Sequence, residues 1–171
     1  KFARVPVRLL NTMDPTAHGT IINNVFQRGT IKAVAARDGN ICIQINSSRM
    51  LLAYGFLRKV FEIFETYKTS IDMVCTSEVG VSVTIDNRNH LADIINELKK
   101  YGTVNVEEDM CIICVVGDLA SDNIGFETKV CMALKDVPVR MISYGGSPHN
   151  ISFVVKDADK KQTLQALSHT L

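Results

Sequence analysis

Charge of one sign is absent from this sequence: 19 Lys and Arg stand against 18 Asp and Glu, a formal net charge of +1. That removes the basic excess expected of a nucleic-acid partner, and no block of like charge suggests a tail or a membrane patch. No apolar run approaches the ~20 residues of a membrane helix, so no membrane partner is expected either. The opening KFARVPVRLL lacks an apolar stretch ending in a small-residue cleavage site, so it is not read as a signal peptide. It also lacks an initiator Met, as expected of a piece of a longer chain. Ten Gly and 4 Pro are too few for a collagen-like or low-complexity chain. With 46% hydrophobic and 22% charged residues, disorder is excluded as well. What remains is 171 residues of globular chain, one ordinary domain or two very small ones.

Catalytic signatures are also missing. There is no GxGxxG, no GxxxxGK[ST] and no HExxH, and His18, His90, His149 and His169 have no metal-ligand spacing. Cys111-Ile-Ile-Cys114 is a lone CxxC inside an expected strand, where i and i+3 point to opposite faces. It reads as core thiols, not as a redox or zinc pair, and no metal site is expected. The five cysteines are odd in number and sit among apolar residues, which suits a reducing cytoplasm better than a disulfide framework.

The patterning that is present reads as α+β. Residues 1–29 have weak periodicity and the turn signals Asp14-Pro15 and His18-Gly19. A strand is expected over Thr30–Ala36, then a hairpin or turn at Asp38-Gly39, then a strictly alternating strand, NICIQIN, over Asn40–Asn46. Phe56, Val60, Phe61, Ile63 and Phe64 lie at helical spacing within 55–67. Strands follow over 70–76 and 80–85, a helix over 91–101 with Gly102 as C-cap, and a short strand over 103–106. The order then recurs: strand 110–116, helix 125–134, strands 139–143 and 151–155, helix 158–171. Ile71-Asp72-Met73-Val74-Cys75 lines up with Val139-Arg140-Met141-Ile142-Ser143. A unit of about 70 residues is too long for a solenoid. Two ferredoxin-like βαββαβ modules are expected, each an antiparallel sheet with helices on one face. The second lacks its fourth strand, and Thr30–Ala36 is a strand the first does not need. Because an open edge is a liability, Thr30–Ala36 is expected to complete the second sheet, with the first module inserted in the second.

One end of the first module offers a small-ligand site. The segment Met50–Leu57 joins a strand to a helix start whose free N–H groups could receive a carboxylate. Asp72 sits early in an apolar strand, and Thr76-Ser77-Glu78 ends it with two hydroxyls and an acid. A carboxylate receptor near two acids suits an amino acid, best of all one with a second ammonium. Each feature also has an ordinary reading, as a solvated edge residue, a plain turn or a flexible helix start.

At this point the residues resemble a family. Gly55-Phe56-Leu57 through Ile71-Asp72-Met73-Val74-Cys75-Thr76-Ser77-Glu78-Val79-Gly80-Val81-Ser82 is similar to the first regulatory ACT module of aspartokinase. Val139–Ser147 with His149-Asn150-Ile151-Ser152 resembles the second, and Asn11-Thr12, Asp14-Pro15 and Gly19-Thr20 resemble the end of its amino-acid kinase domain. The resemblance implies an enzyme that uses ATP, with Mg, to phosphorylate the β-carboxylate of L-aspartate on the way to lysine, threonine and methionine. It implies a fragment holding the tail of the kinase domain and a linker (1–29), a first ACT module (40–109) and a second (30–39 plus 110–171). The kinase core and its ATP site would lie outside it, leaving the fragment inactive and without a cofactor of its own. Carried over from the lysine-sensitive type, the effector residues are Met50, Ala53, Gly55, Phe56, Leu57, Ile71, Asp72, Thr76, Ser77 and Glu78. The implied partners are lysine as feedback inhibitor, a second copy through the ACT modules, and the kinase domain of the same chain, in the cytoplasm. A threonine-sensing region of an aspartokinase–homoserine dehydrogenase and a free-standing ACT amino-acid-binding protein are the alternatives.

Overall fold

The computed structural model describes residues 6–22, 31–48, 54–118 and 124–170. A short hairpin comes first, β1 (Val7–Leu9) paired antiparallel with β2 (Thr20–Ile22). Its apolar side chains Val7, Leu9, Leu10, Met13, Ile21 and Ile22 are all exposed. The rest is built on β3 (Ile31–Asn46), β4 (Met73–Thr76), β5 (Gly80–Ile85), β6 (Thr103–Gly117), β7 (Met141–Ser143) and β8 (Asn150–Lys156). The helices are α1 (Phe56–Thr66), α2 (Leu91–Leu98), α3 (Phe126–Ala133) and α4 (Lys160–Thr170). The six long-range strands form one antiparallel sheet in the order β4-β5-β3-β6-β8-β7. None of the described helices is long and apolar enough to cross a membrane.

The expected turn at Asp38-Gly39 is not a turn. The strands on either side fuse into the 16-residue β3, and those at 103–106 and 110–116 fuse into the 15-residue β6. Register shifts at Arg37/Asn40 and Asn40/Cys42 mark a bulge, with Gly39 at φ 74° on β3 and Asp109 at φ 56° on β6. A hairpin would have paired the two pieces of β3 with each other. Instead both face β6, so the left-handed residue is spent on a bulge that bends a continuous strand. Ile31–Arg37 pairs with Ile112–Gly117, and Asn40–Asn46 pairs with Thr103–Met110. Of the expected strand Thr30–Ala36, Thr30 lies outside the described residues.

The bulges form a waist between two halves that repeat each other. In the first half, α1 and α2 bury Phe56, Val60, Phe64, Ile94 and Leu98 against Ile41, Ile43, Ile45, Val81, Val83 and Ile85. In the second, α3 and α4 bury Phe126, Val130, Leu134 and Leu167 against Cys111, Ile113, Val115, Ile151, Phe153 and Val155. Each such side chain contributes about 1.5–3 kcal/mol on burial. Equivalent backbone bonds recur: Ser47 N–H donates to Val79 O (2.8 Å) and Gly117 N–H to His149 O (2.9 Å). Asp72 N–H to Thr84 O (2.9 Å) likewise returns as Arg140 N–H to Val154 O (2.7 Å).

The other sheet face is buried around the waist. Cys42, Met73, Met110, Ile112, Met141 and Val154 form a third buried cluster. There Cys42 Sγ donates to Met141 Sδ (3.5 Å) and Cys75 Sγ to Ile142 O (3.0 Å). Cys42 is therefore buried on the face opposite Ile41, Ile43 and Ile45, and burial pushes its thiol up to about 11. Helix α2 stops at Leu98, and Gly102 is not a left-handed cap. A Cβ there would lie 2.4 Å from Asn46 O, so glycine is needed for close approach of the chain to β3.

Candidate functional site

Helix α1 is the next element after β3 in the chain. Its N-cap, Gly55, is left-handed (φ 78°) and offers no side chain, and its first turn carries no acid. Helix α3 starts the same way, with Gly125 at φ 83° followed by Phe126, but has Glu127 in its first turn. The first-turn N–H groups of α1 therefore retain an uncompensated partial positive charge. Phe56 is buried and anchors the turn, with Leu57 packed on the same core. Thr76, Ser77 and Glu78 lie at the same end of the sheet: Thr76 pairs with Val81, Ser77 N–H donates to Gly80 O (2.8 Å), and Gly80 pairs with Asn46. All three are exposed. Met50 and Ala53 lie outside the described residues.

A cavity of about 340 Å³ opens at this end, lined by Asn46, Ser47, Ser48, Lys99, Lys100, Tyr101, Gly102 and Thr103. Sequence reasoning missed Lys99–Tyr101, because it read them as the plain end of a helix. Lys100 Nζ donates to Glu97 (2.7 Å), and Lys59 Nζ lies 5.7 Å from the Tyr101 ring centre. The aromatic ring is thus fixed over the groove between α1 and α2.

Ile71 and Asp72 are not at this end. Asp72 stands just before β4 and Thr76 closes it, so about 13 Å of strand separates them. That exceeds the span between the charged ends of any single amino acid. The expected convergence of Asp72 with Thr76-Ser77-Glu78 is therefore not found within one chain. An apolar strand carries no marker of which end meets the helix. Asp72 sits at the waist, in an ion pair with Arg37 of β3. One repeat later Glu107 takes the place of Arg37, and Arg140 that of Asp72, 2.9 Å apart, with both charges reversed. Arg88 with Glu108, and Lys160 with Asp38, complete the belt.

Asp38, Cys111 and Asp157 bring their ligand atoms within 4.8 Å of one another, the spacing of a cation site. Lys160 already supplies a positive charge, and its hydrogen bond holds the Asp38 carboxyl below its ordinary value. Burial, then Asp38, pushes the Cys111 thiol up to about 12, so without a metal it stays protonated. Asp157 has a buried Oδ1 without a hydrogen-bond partner, and burial followed by Asp38 and Asp109 raises its carboxyl. A carboxyl raised in the folded state favours folding fully below its unfolded pKa and loses that contribution as pH rises through the folded value. Asp157→Asn is accordingly expected to raise the melting temperature at pH 7, with the gain vanishing near pH 3, as followed by circular dichroism.

The family model described as ACT domain matches residues 113–171. The chain is 55% identical to a solved C-terminal regulatory domain of aspartate kinase from Porphyromonas gingivalis W83, covering 81% of this chain and 96% of that one, with TM-score 0.74. It is 35% identical to chloroplastic aspartokinase 1 of Arabidopsis thaliana, over 95% of this chain and 31% of that protein. The structure of Escherichia coli aspartokinase III in complex with lysine and aspartate is 32% identical, with TM-score 0.83, over 98% of this chain and 39% of that one. The chain thus spans about a third of the length of the curated relatives it matches. It belongs to the family of aspartokinase C-terminal regulatory regions, built on the ACT domain.

Proposed function

We propose that this chain is the lysine-binding regulatory region of a cytoplasmic aspartokinase. In this reading residues 40–109 are one ACT module inserted in a second, made of 30–39 and 110–171. The backbone bonds and waist pairs that recur in the two halves support that division. The exposed apolar hairpin Val7–Ile22 supports 1–29 as the tail of a kinase domain, which would cover it. That domain would carry the ATP and Mg chemistry on the β-carboxylate of L-aspartate.

The observation that carries the effector reading is the bare, unneutralised start of α1, with Thr76, Ser77 and Glu78 exposed where β4 turns into β5. The α1 N–H groups at Gly55, Phe56 and Leu57 would hold an amino acid's carboxylate, and Glu78 one ammonium. Met50 and Ala53 would supply apolar walls, and Ile71 stays beside Asp72 at the far end of β4. Asp72 is too far along β4 to join in the same chain, but β4 is an edge strand. Two copies of β4 paired antiparallel about a two-fold axis near Val74 would set Asp72 of one copy opposite Thr76 of the other. Each pocket would then have a second acid for the second ammonium.

Titration calorimetry of the 171-residue chain against lysine, threonine and methionine tests this, with light scattering on the same samples. Lysine is expected to bind best, to a dimer at micromolar concentration. Preferential binding of threonine, or lysine binding to a species of 18.9 kDa, would overturn the reading.

A further inference from the structure

Arg37 is held more firmly than its exposed position suggests. Its Nη2 donates to Asn40 Oδ1 (3.0 Å), and Asn40 is fully buried. Asn40 in turn donates to the backbone oxygens of Arg37 (2.6 Å) and Asp38 (3.3 Å), so the bulge itself aims the guanidinium. Two carboxylates face it: Asp72 in direct contact, and Asp86 with Oδ2 3.5 Å from Nη1. Asp72 belongs to the end of β4 that is proposed to meet the effector's second ammonium. Asp86 follows β5, in the same half as Asp72.

We propose that Arg37 is a built-in competitor for the effector's ammonium at Asp72, and that it sets affinity by moving between Asp72 and Asp86. This deepens the lysine reading and rests on it. Two cations in contact with one carboxylate repel each other at close range, so an arriving ammonium favours the state in which Arg37 has turned to Asp86. The exchange also has a consequence for signalling. Arg37 lies in the part of β3 that pairs with Ile112, in the second half, whereas Asp72 is in the first. Occupancy would shift Arg37's link to the first half from Asp72 to Asp86. A ligand couples to such an element only through its different affinity for the two arrangements. The Glu107–Arg140 pair occupies the equivalent place with reversed charge, and there the strand-start residue is a cation. It cannot capture an ammonium, which makes it an internal control.

Lysine calorimetry on Arg37→Met, Asp86→Asn and Glu107→Gln tests the proposal, with circular dichroism to check folding. Arg37→Met removes the competitor and is expected to tighten lysine binding about two- to fivefold, the range of an exposed ion pair. Asp86→Asn removes the competitor's alternative and is expected to weaken binding about threefold. Glu107→Gln is expected to change it less than twofold. Opposite signs at Arg37 and Asp86 are the signature. If the parent binds lysine and Arg37→Met binds it no more tightly, the competition is wrong and the lysine reading stands. Equal tightening by Arg37→Met and Glu107→Gln would mean that loosening the waist is the cause, and would also overturn it. Should Arg37→Met not fold, Asp86→Asn decides alone, unchanged affinity overturning the proposal. No lysine binding by the parent would fail both readings together.

Discussion

Phe64→Ala is expected to destabilise the chain by about 3–5 kcal/mol, the usual cost of truncating a buried aromatic side chain and leaving its cavity. Phe64 is 1% exposed and lies on α1 against the β3–β5 face of the first core. At ~2–4 °C per kcal/mol for a chain of this size, the melting temperature should fall by roughly 10 °C. The more telling expectation is that both halves fail together. Strands β3 and β6 cross the waist without a break, and each carries core residues of both clusters. Frayed ends of the first half would therefore expose β6 beneath α3. Hydrogen exchange should show α1 and α3 losing protection in parallel, with a single transition by circular dichroism. Two transitions, with only the first lowered by Phe64→Ala, would make the halves independent folding units despite their shared strands.

Much of this architecture was legible because it rests on local periodicity. Ile41, Ile43 and Ile45, and Val81, Val83 and Ile85, announce a buried face by alternation, and Val60, Ile63 and Phe64 announce the helix that covers it. The displaced strand was legible for a different reason: Ile31–Ala36 is a strand more than the first half needs, and it pairs with β6 in the second. Asp38-Gly39 misled because a left-handed residue serves a hairpin and a bulge equally well, and only the pairing partner distinguishes them. Glu108-Asp109, the matching bulge, carries no glycine to mark it. At the candidate site, Thr76–Glu78 are brought to the Asn46 end of β3 by short-range pairing. Asp72 was misplaced because its proximity to Glu78 in sequence conceals the length of an extended strand. The waist pairs could have been suspected from the alignment of Asp72 with Arg140, since a repeat that reverses a charge needs a reversed partner.

Asp72→Ala should weaken lysine binding by tenfold or more while leaving the melting temperature nearly unchanged. A charge-assisted hydrogen bond contributes roughly 1.5–3 kcal/mol, and ~1.4 kcal/mol is already tenfold in affinity. Part of that loss is offset, because the ligand no longer has to displace Arg37. Stability is affected less for a geometric reason. The Asp72 side chain is 24% exposed and that of Arg37 48%, and such pairs contribute only about 0–1 kcal/mol. After the substitution Arg37 keeps Asn40 and gains undivided contact with Asp86. The two readouts therefore separate a ligand-binding role from a structural one. Calorimetry and thermal melting on the same preparation check both. Unchanged lysine affinity would remove Asp72 from the pocket. A fall of several degrees in melting temperature, with affinity lost in proportion, would make Asp72 a fastener of the waist instead of a receptor for the ammonium.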